Sequence, residues 1–321
     1  MIPLFINKEK VNELLPMNEC IDVMEKTFRS LATGECLQPL RSLMWLPDKS
    51  GILGMMPGYA AGPGVMGIKI ITVFPANKNL GLPSHQGVVI LFDAKNGEPL
   101  LIADAEEITA IRTAAASALA TRLLSKEEAS VLAIIGSGVQ AKRHTEAILL
   151  VRKIKQIRLW SRNENNAIEL AEKTASTFGI PVTVQQNAQD AVAGADIICT
   201  VTAASQPVVL GKWISAGTHI NVVGSCTPAA RELDSNAIVK ASLFTDNYES
   251  LFNEAGDFII PQKEGAINSN HVKGDLSEVL TGTKNGRTTS DEITVFKSLG
   301  IAAEDIFSAW HIYEKVNPKM I

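Results

Sequence analysis

From residue 130 onward the chain alternates short apolar runs with stretches of helical period. Residues 131–135 (VLAII) form an unbroken β-branched and apolar run, and residues 139–152 follow with helical spacing. Residues 157–160, a helical stretch 165–178 closed by Gly179, and the runs 182–184, 197–201, 219–223 and 243–245 continue the series. Continuously apolar strands with helices between them are what a parallel sheet covered on both faces requires, because each strand is then buried on two sides. The pattern predicts a doubly wound α/β unit over residues 126–290.

The preceding stretch has a different rhythm. Residues 18–33 are amphipathic, with Ile21, Met24, Phe28 and Leu31 at helical spacing, and Gly34 ends the run. Strand-like runs at 42–46, 67–73 and 87–93 are separated by Pro57-Gly58 and Asn96-Gly97, which read as punctuation. Asn96-Gly97, with apolar runs on either side, predicts a hairpin. An alanine-rich helix is expected over 109–124. The C-terminal helical segment 298–316, with Ile306, Trp310 and Tyr313, is expected to return to the first domain. Two domains result, 1–125 with 291–321 and 126–290, as a chain of 321 residues needs more than one core of ordinary size.

Composition narrows the classes of function. Hydrophobic residues make up 46% and charged ones 20%, which suits a packed globular protein, and a net charge of -4 gives no footprint for nucleic acid or an anionic membrane. Cys20, Cys36, Cys199 and Cys226 form no C-x-x-C pair, so neither a disulfide scaffold nor a metal site is expected. The start MIPLF lacks a basic leader followed by a long apolar run, and no stretch reaches the roughly 18 apolar residues of a membrane helix. A cytoplasmic protein is expected.

Gly136-x-Gly138-x-x-Ala141 lies between a predicted buried strand and a predicted helix, the context in which this pattern holds a dinucleotide. Gly136 permits the tight turn, Gly138 lets the backbone approach a pyrophosphate, and Ala141 keeps helix and strand close. The helix start, with Ser137, Val139 and Gln140, offers N–H groups and a positive dipole end to phosphate. An acid about 20 residues on would bind the ribose hydroxyls of NAD. Here the next strand ends in Ser161-Arg162-Asn163. Neutral donors and a guanidinium suit a 2′-phosphate, so NADPH is favoured while NADH use stays open.

Three cations stand in apolar surroundings. Lys69 interrupts MGIKII, Arg112 lies in the otherwise uncharged stretch 108–120, and Arg41 begins a strand. A Lys or Arg in such a place needs an anion, which is either an internal partner or a ligand. Three together suggest a carboxylate-binding pocket. Of the histidines, His85 alone sits where it could reach such a site.

Arg41, Gly54-Met55-Met56-Pro57, Gly67-Ile68-Lys69, the block TAIRTAA at 109–115, the block GSGVQA at 136–141 and DEITVF at 291–296 resemble the ornithine cyclodeaminase and mu-crystallin family, over essentially the whole chain. The resemblance implies a Rossmann doubly wound domain plus an α+β substrate-binding and dimerisation domain, and a homodimer. It implies that Arg41, Lys69 and Arg112 hold a substrate carboxylate, with Met55 shaping the pocket. It further implies that Ser84, Arg112, Thr113 and Thr202 lie near the cofactor.

Ornithine cyclodeaminases carry a Glu where this chain has Gly54 and an aspartate base at or near Cys226. What remains resembles the ketimine reductases, which reduce a cyclic imino acid such as Δ1-pyrroline-2-carboxylate or Δ1-piperideine-2-carboxylate. Lys69 is then the candidate proton donor. Cys226 is either a soft contact to substrate or an inert thiol. Ornithine or lysine cyclodeaminase with recycled NAD, alanine dehydrogenase and an NADPH-dependent ligand-binding protein stay open as alternatives.

Overall fold

The computed structural model describes residues 2–317, other than the side chains of Lys78 and Asn79. The chain divides into two compact units, Met1–Arg112 with Gly300–Ile321, and Thr113–Leu299. Both boundaries differ from the expected 125/126 and 290/291. One falls inside the helix Ala105–Leu124, whose residues are buried on nearly every side, and so no linker composition marks it.

The first unit is built on a seven-stranded sheet of β1 (Leu4–Ile6), β2 (Cys36–Leu37), β3 (Ser42–Trp45), β4 (Ile52–Ala60), β5 (Val65–Val73), β6 (His85–Asp93) and β7 (Pro99–Asp104). The order is β1-β7-β6-β5-β4-β2, with β3 also on β4. Strand β4 was not expected. Its Pro57-Gly58 pair reads as a turn, yet both residues lie within the strand. On that edge of β4, β3 covers residues 52–55 and β2 covers 59–60, so Pro57 falls in the gap, where no ladder donor is needed. The hairpin at Asn96-Gly97 forms as expected, with Gly97 at φ 76°.

The C-terminal helix Ala302–Val316 packs on β4 to β7 and on the helix Met17–Ala32. A Cβ at Gly58 or Gly67 would meet Ile306, so two glycines let this helix settle onto the sheet. Alternation along the paired strands β4 and β5 places Gly54, Met56, Lys69 and Ile71 on the face the helix covers. Met55, Ile68 and Ile70 lie on the other.

The second unit holds an eight-stranded sheet of β8 (Val131–Ile135), β9 (Gln156–Trp160), β10 (Val182–Val184), β11 (Ile197–Thr200), β12 (His219–Val222), β13 (Ala241–Thr245), β14 (Val272–Asp275) and β15 (Ile293–Lys297). All neighbours are parallel, in the order β10-β9-β8-β11-β12-β15-β13-β14. The fold class is therefore as expected. The segment from residue 291 is corrected, because β15 sits between β12 and β13 and belongs to this sheet rather than to the first unit. Apolar residues of β8, β11, β12, β13 and β15 pack with the helices in one core, and those of β8, β9 and β11 in a second. The chain reverses direction across the sheet between β8 and β11, the place where doubly wound sheets bind ligands at their strand ends.

Candidate functional site

The glycine loop leaves the C-terminal end of β8 at that reversal. Gly136 has φ 129°, and a Cβ there would lie 2.8 Å from the Val201 carbonyl oxygen, so only glycine fits. Its N–H donates to the Trp160 carbonyl at 2.8 Å, which fastens the loop to the end of β9. Gly138 precedes the helix Val139–Val151 as its N-cap, with no side chain capping the first turn and no acid in it. A Cβ on Gly138 would meet nothing within 4 Å.

The backbone therefore does not need a glycine at position 138, but a molecule lying against the loop would. The uncapped N–H groups, that open space and the buried, unpartnered Gln140 Oε1 suit a dinucleotide pyrophosphate and its neighbours. Ala141 is fully buried between helix and strand, as the motif requires.

At the end of β9, Ser161 Oγ and Ser137 Oγ are 2.8 Å apart and tie the two loops together. The Asn163 side-chain oxygen accepts from the Asn166 N–H as the N-cap of the helix Glu164–Phe178. That oxygen has a structural task not foreseen in the expectation of a ribose contact. Arg162 is exposed, with no hydrogen bond or ion pair among the described residues.

The ends of β11 and β12 rest on a buried polar network. Thr202, after β11, donates to Glu232 Oε1 through both its N–H and its hydroxyl, each at 2.7 Å. Glu232 Oε2 accepts from Thr200 Oγ1 at 2.9 Å and from the Gly224 N–H at 2.7 Å. The Glu232 and Leu233 N–H groups donate to Asp257 Oδ1. Lys297 lies 3.2 Å from Asp257 Oδ2 and donates to the Ser225 carbonyl at 2.5 Å. Burial pushes the Glu232 carboxyl up. Burial acts to lower Lys297, but Asp257, Cys226 and Glu232 outweigh it and hold the amine above its ordinary value.

Cys226 is half-buried, its thiol 3.8 Å from the Val223 carbonyl and 3.7 Å from that of Leu299. None of Glu232, Asp257 and Lys297 was anticipated. The signal was available for Lys297, which closes the apolar run 293–296 much as Lys69 breaks its own.

In the first unit, Arg41, Lys69 and Arg112 do come together, and two unforeseen partners on the C-terminal helix join them. Lys69 Nζ is 2.6 Å from Asp305 Oδ2. Arg112 Nε is 3.0 Å from Asp305 Oδ1, and Arg112 Nη1 is 2.5 Å from Glu304 Oε2. Arg41 donates to the Gly300 carbonyl at 2.9 Å. Gly300 has φ 72°, and a Cβ there would stand 2.4 Å from Arg112 Nη1, so glycine lets the guanidinium approach.

Two cations expected to await a ligand thus already have internal anions. Hydrogen-bonding capacity remains, since an ammonium has three N–H donors and a guanidinium five. Burial pulls the Lys69 amine down to about 8, with Asp305 opposing and Arg112 and Arg41 assisting the fall. Arg112 is also pulled by burial, but Asp305 and Glu304 hold it above its ordinary value. Met55 lies on the sheet face opposite Lys69, so Met56 and Gly54 are its neighbours there instead.

Ser84, whose carbonyl accepts from the Phe74 N–H, lies 2.9 Å from His85 Nδ1 through its hydroxyl; His85 is exposed. Thr113 is buried in the helix Ala105–Leu124. The interior histidines have structural partners. His144 bonds the Gln140 carbonyl and Ser117, and burial lowers it to about 4. His219 bonds Thr294 and Asn221, and burial lowers it to about 3. Among the described residues no cluster of His, Cys, Asp or Glu is arranged to hold a metal, and no helix is long and apolar enough to cross a membrane.

The model of the Ornithine cyclodeaminase/mu-crystallin family matches residues 2–320. The chain is 37% identical over 313 residues to the Δ1-pyrroline-2-carboxylate reductase of Bacillus thuringiensis subsp. konkukian (strain 97-27), covering 97% of this chain and 96% of that one. It is 37% identical over 316 residues to the ketimine reductase mu-crystallin of Mus musculus, covering 97% of each. The solved structure of Thermococcus litoralis Δ1-pyrroline-2-carboxylate reductase in complex with NADH and L-proline superposes with a TM-score of 0.96 at 37% identity, over 99% of this chain and 98% of that one. Sequence, glycine loop and fold agree, and the chain belongs to the ornithine cyclodeaminase/mu-crystallin family.

Proposed function

We propose that the protein is an NADPH-dependent reductase of a cyclic imino acid, converting Δ1-pyrroline-2-carboxylate to L-proline or Δ1-piperideine-2-carboxylate to L-pipecolate. The chain is an oxidoreductase acting on C=N bonds, the class to which its named relatives belong; the nucleotide and the ring are our reading. The observation that carries it is the cluster of half-buried Arg41 with buried Lys69 and Arg112, in which Lys69 is pulled down to about 8. Donors left on the Arg112 guanidinium suit a carboxylate, with the Arg41 charge beside it. A lysine poised near neutrality suits delivery of a proton to the imine nitrogen.

When bound, reduced nicotinamide supplies the hydride that reduces the imine carbon. The protein's part is to anchor the carboxylate, hold that carbon in orientation and provide the proton. No general base is needed for this reduction. By the family resemblance, the positions at which a cyclodeaminase keeps acids match Gly54 and a place at or near Cys226. Glu232, the carboxylate beneath the turn that carries Cys226, has both oxygens engaged by four donors and does not replace the missing base.

The deciding measurement is steady-state oxidation of NADPH and NADH with the five- and six-membered imines. Ammonia release from ornithine without added reductant, together with no loss of reduced nicotinamide, would overturn the proposal. For the nucleotide, Arg162 is the discriminating residue. Arg162→Ala is expected to raise KM for NADPH about tenfold, the worth of one charge-assisted contact of ~1.5 kcal/mol, and to leave KM for NADH within about twofold. Equal effects on both nucleotides would remove Arg162 from the 2′-phosphate site.

A homodimer is also proposed, and the sheet face of the first unit turned away from the C-terminal helix supports it. That face carries Pro57, Tyr59, Met66, Ile68 and Phe92, partly or fully exposed, around a cavity of about 560 Å³, and Met55 and the apolar side chains of β3 lie beside it. A patch of this kind suits a second copy of the chain. Light scattering should give twice the chain mass for the wild type and the single-chain mass for Met66→Lys. A wild-type monomer would refute the dimer.

A further inference from the structure

Two of the residues expected at the cofactor and substrate, Thr202 and Cys226, stand on separate turns after β11 and β12, and neither turn has regular secondary structure to hold it. What holds both is one carboxylate. Glu232 is fully buried and accepts from Thr202 N–H, Thr202 Oγ–H, Thr200 Oγ–H and Gly224 N–H at 2.7 to 2.9 Å. All four are donors and the ionised carboxylate has two acceptor oxygens, so each oxygen receives two bonds of the charge-assisted kind.

The grip leaves no slack. A Cβ on Gly224 would lie 2.0 Å from the Thr202 carbonyl oxygen and 2.7 Å from Glu232 Oε1, so the two turns are in direct backbone contact. The carboxylate's own backbone is fixed in turn. Glu232 N–H and Leu233 N–H donate to Asp257, and Asp257 pairs with Lys297, which also donates to the Ser225 carbonyl. Residues 224 and 225 are thereby held one by Glu232 and the next by Lys297. A buried carboxylate uncompensated by a directly paired cation is costly, and four donors directed at it are what offset that cost. Such an arrangement is more than packing the strand ends would require, since Thr200, Thr202 and Gly224 have no need of a charged partner for their own burial.

We infer that Glu232 is the positioning residue that sets the Thr202 turn and the 224–226 turn in register for hydride transfer, an inference that rests on the reductase reading above. It touches neither substrate nor nucleotide and acts only through the groups it holds.

Glu232→Gln tests it with an isosteric side chain that keeps one acceptor oxygen and turns an NH2 toward groups that are themselves donors. In the ligand-free protein, amide hydrogen exchange at Thr202 and Gly224 should speed up at least about tenfold, because those two N–H groups lose a charged acceptor. With NADPH and whichever imine the wild type reduces, kcat should fall on the order of 10²-fold, as expected for an ångström-scale misplacement. The NADPH Kd from fluorescence titration should stay within about threefold.

A purely structural role would lower Tm and the number of NADPH-binding sites, and leave kcat per site unchanged. Should the Gln variant not fold, Thr200→Val removes a single bond to Glu232 without altering either turn, and a smaller loss of kcat at unchanged NADPH Kd is expected. Unchanged exchange at Thr202 and Gly224, or a variant kcat within about threefold of an active wild type, overturns the inference alone. A wild type that reduces neither imine overturns the proposed function and this inference with it.

Discussion

Lys69→Met is expected to lower kcat for imine reduction by about 10²- to 10⁴-fold, the usual worth of a positioned proton donor. The substitution removes the ammonium that Asp305 holds at 2.6 Å and keeps a side chain of similar length. In the wild type the sign of the pH dependence follows from the direction of the shift. Burial lowers the amine to about 8, so the proton is present below that value and lost as pH rises through it. Log(kcat/KM) should therefore be flat toward neutrality and fall by one per pH unit above about 8. The residual activity of Lys69→Met should lack that limb. A limb that persists unchanged in the variant belongs to another group and removes Lys69 as the donor.

Asp305 gives the same question an independent handle. Its carboxylate raises the Lys69 value against the effect of burial, so Asp305→Asn should move the falling limb to lower pH. The variant also leaves Arg112 with Glu304 as its carboxylate partner, and some loss of stability is expected from weakening a buried pair. The displaced limb separates this electrostatic role from a general loss of folded enzyme.

How much of this was legible in the chain depends on how local the cause is. The parallel strands β8, β9, β11 and β12 and the glycine loop between β8 and its helix follow from unbroken apolar runs and turn chemistry, both of which act over a few residues. Strand β15 has the same kind of run, but its place between β12 and β13 is a matter of topology, and Lys297, conspicuous at the end of that run, has no visible partner until Asp257 appears beside it. Pro57-Gly58 spoke for a turn, and only the gap between β2 and β3 explains why a strand tolerates the proline there.

The cations at 41, 69 and 112 could be picked out because charge within apolar sequence is conspicuous. Their anions could not, because Glu304 and Asp305 occupy the first turn of a helix, where acids are ordinary, and lie almost two hundred residues from Arg112. Met55 is expected at the pocket, yet Met56 is the residue that shares a sheet face with Lys69, and on a pleated strand one residue decides the face. Glu232 illustrates the deepest limit. Its four donors come from the last residue of β11 and from the turns after β11 and β12, and nothing near it in the chain distinguishes it from a solvated glutamate.

The two glycines of the phosphate loop should fail in different ways. Gly136→Ala must place a side chain at φ 129°, a region nearly closed to L residues, with its Cβ 2.8 Å from the Val201 carbonyl oxygen. Strain of ~1–3 kcal/mol is expected in the ligand-free protein, seen as a lower Tm, and the displaced helix start should weaken NADPH binding about tenfold to 10²-fold, at ~1.4 kcal/mol per tenfold. Gly138→Ala meets no such obstacle. Its φ of -87° suits any residue, and the added Cβ has no protein atom within 4 Å. Its Tm without ligand should match the wild type, while NADPH binding weakens by a similar factor, because the methyl group enters space that only the bound pyrophosphate fills. Fluorescence titration alongside thermal unfolding reads both quantities. If Gly138→Ala binds NADPH as tightly as the wild type, the phosphates do not lie against that residue, and the glycine loop is a strand-to-helix turn without the cofactor role given to it.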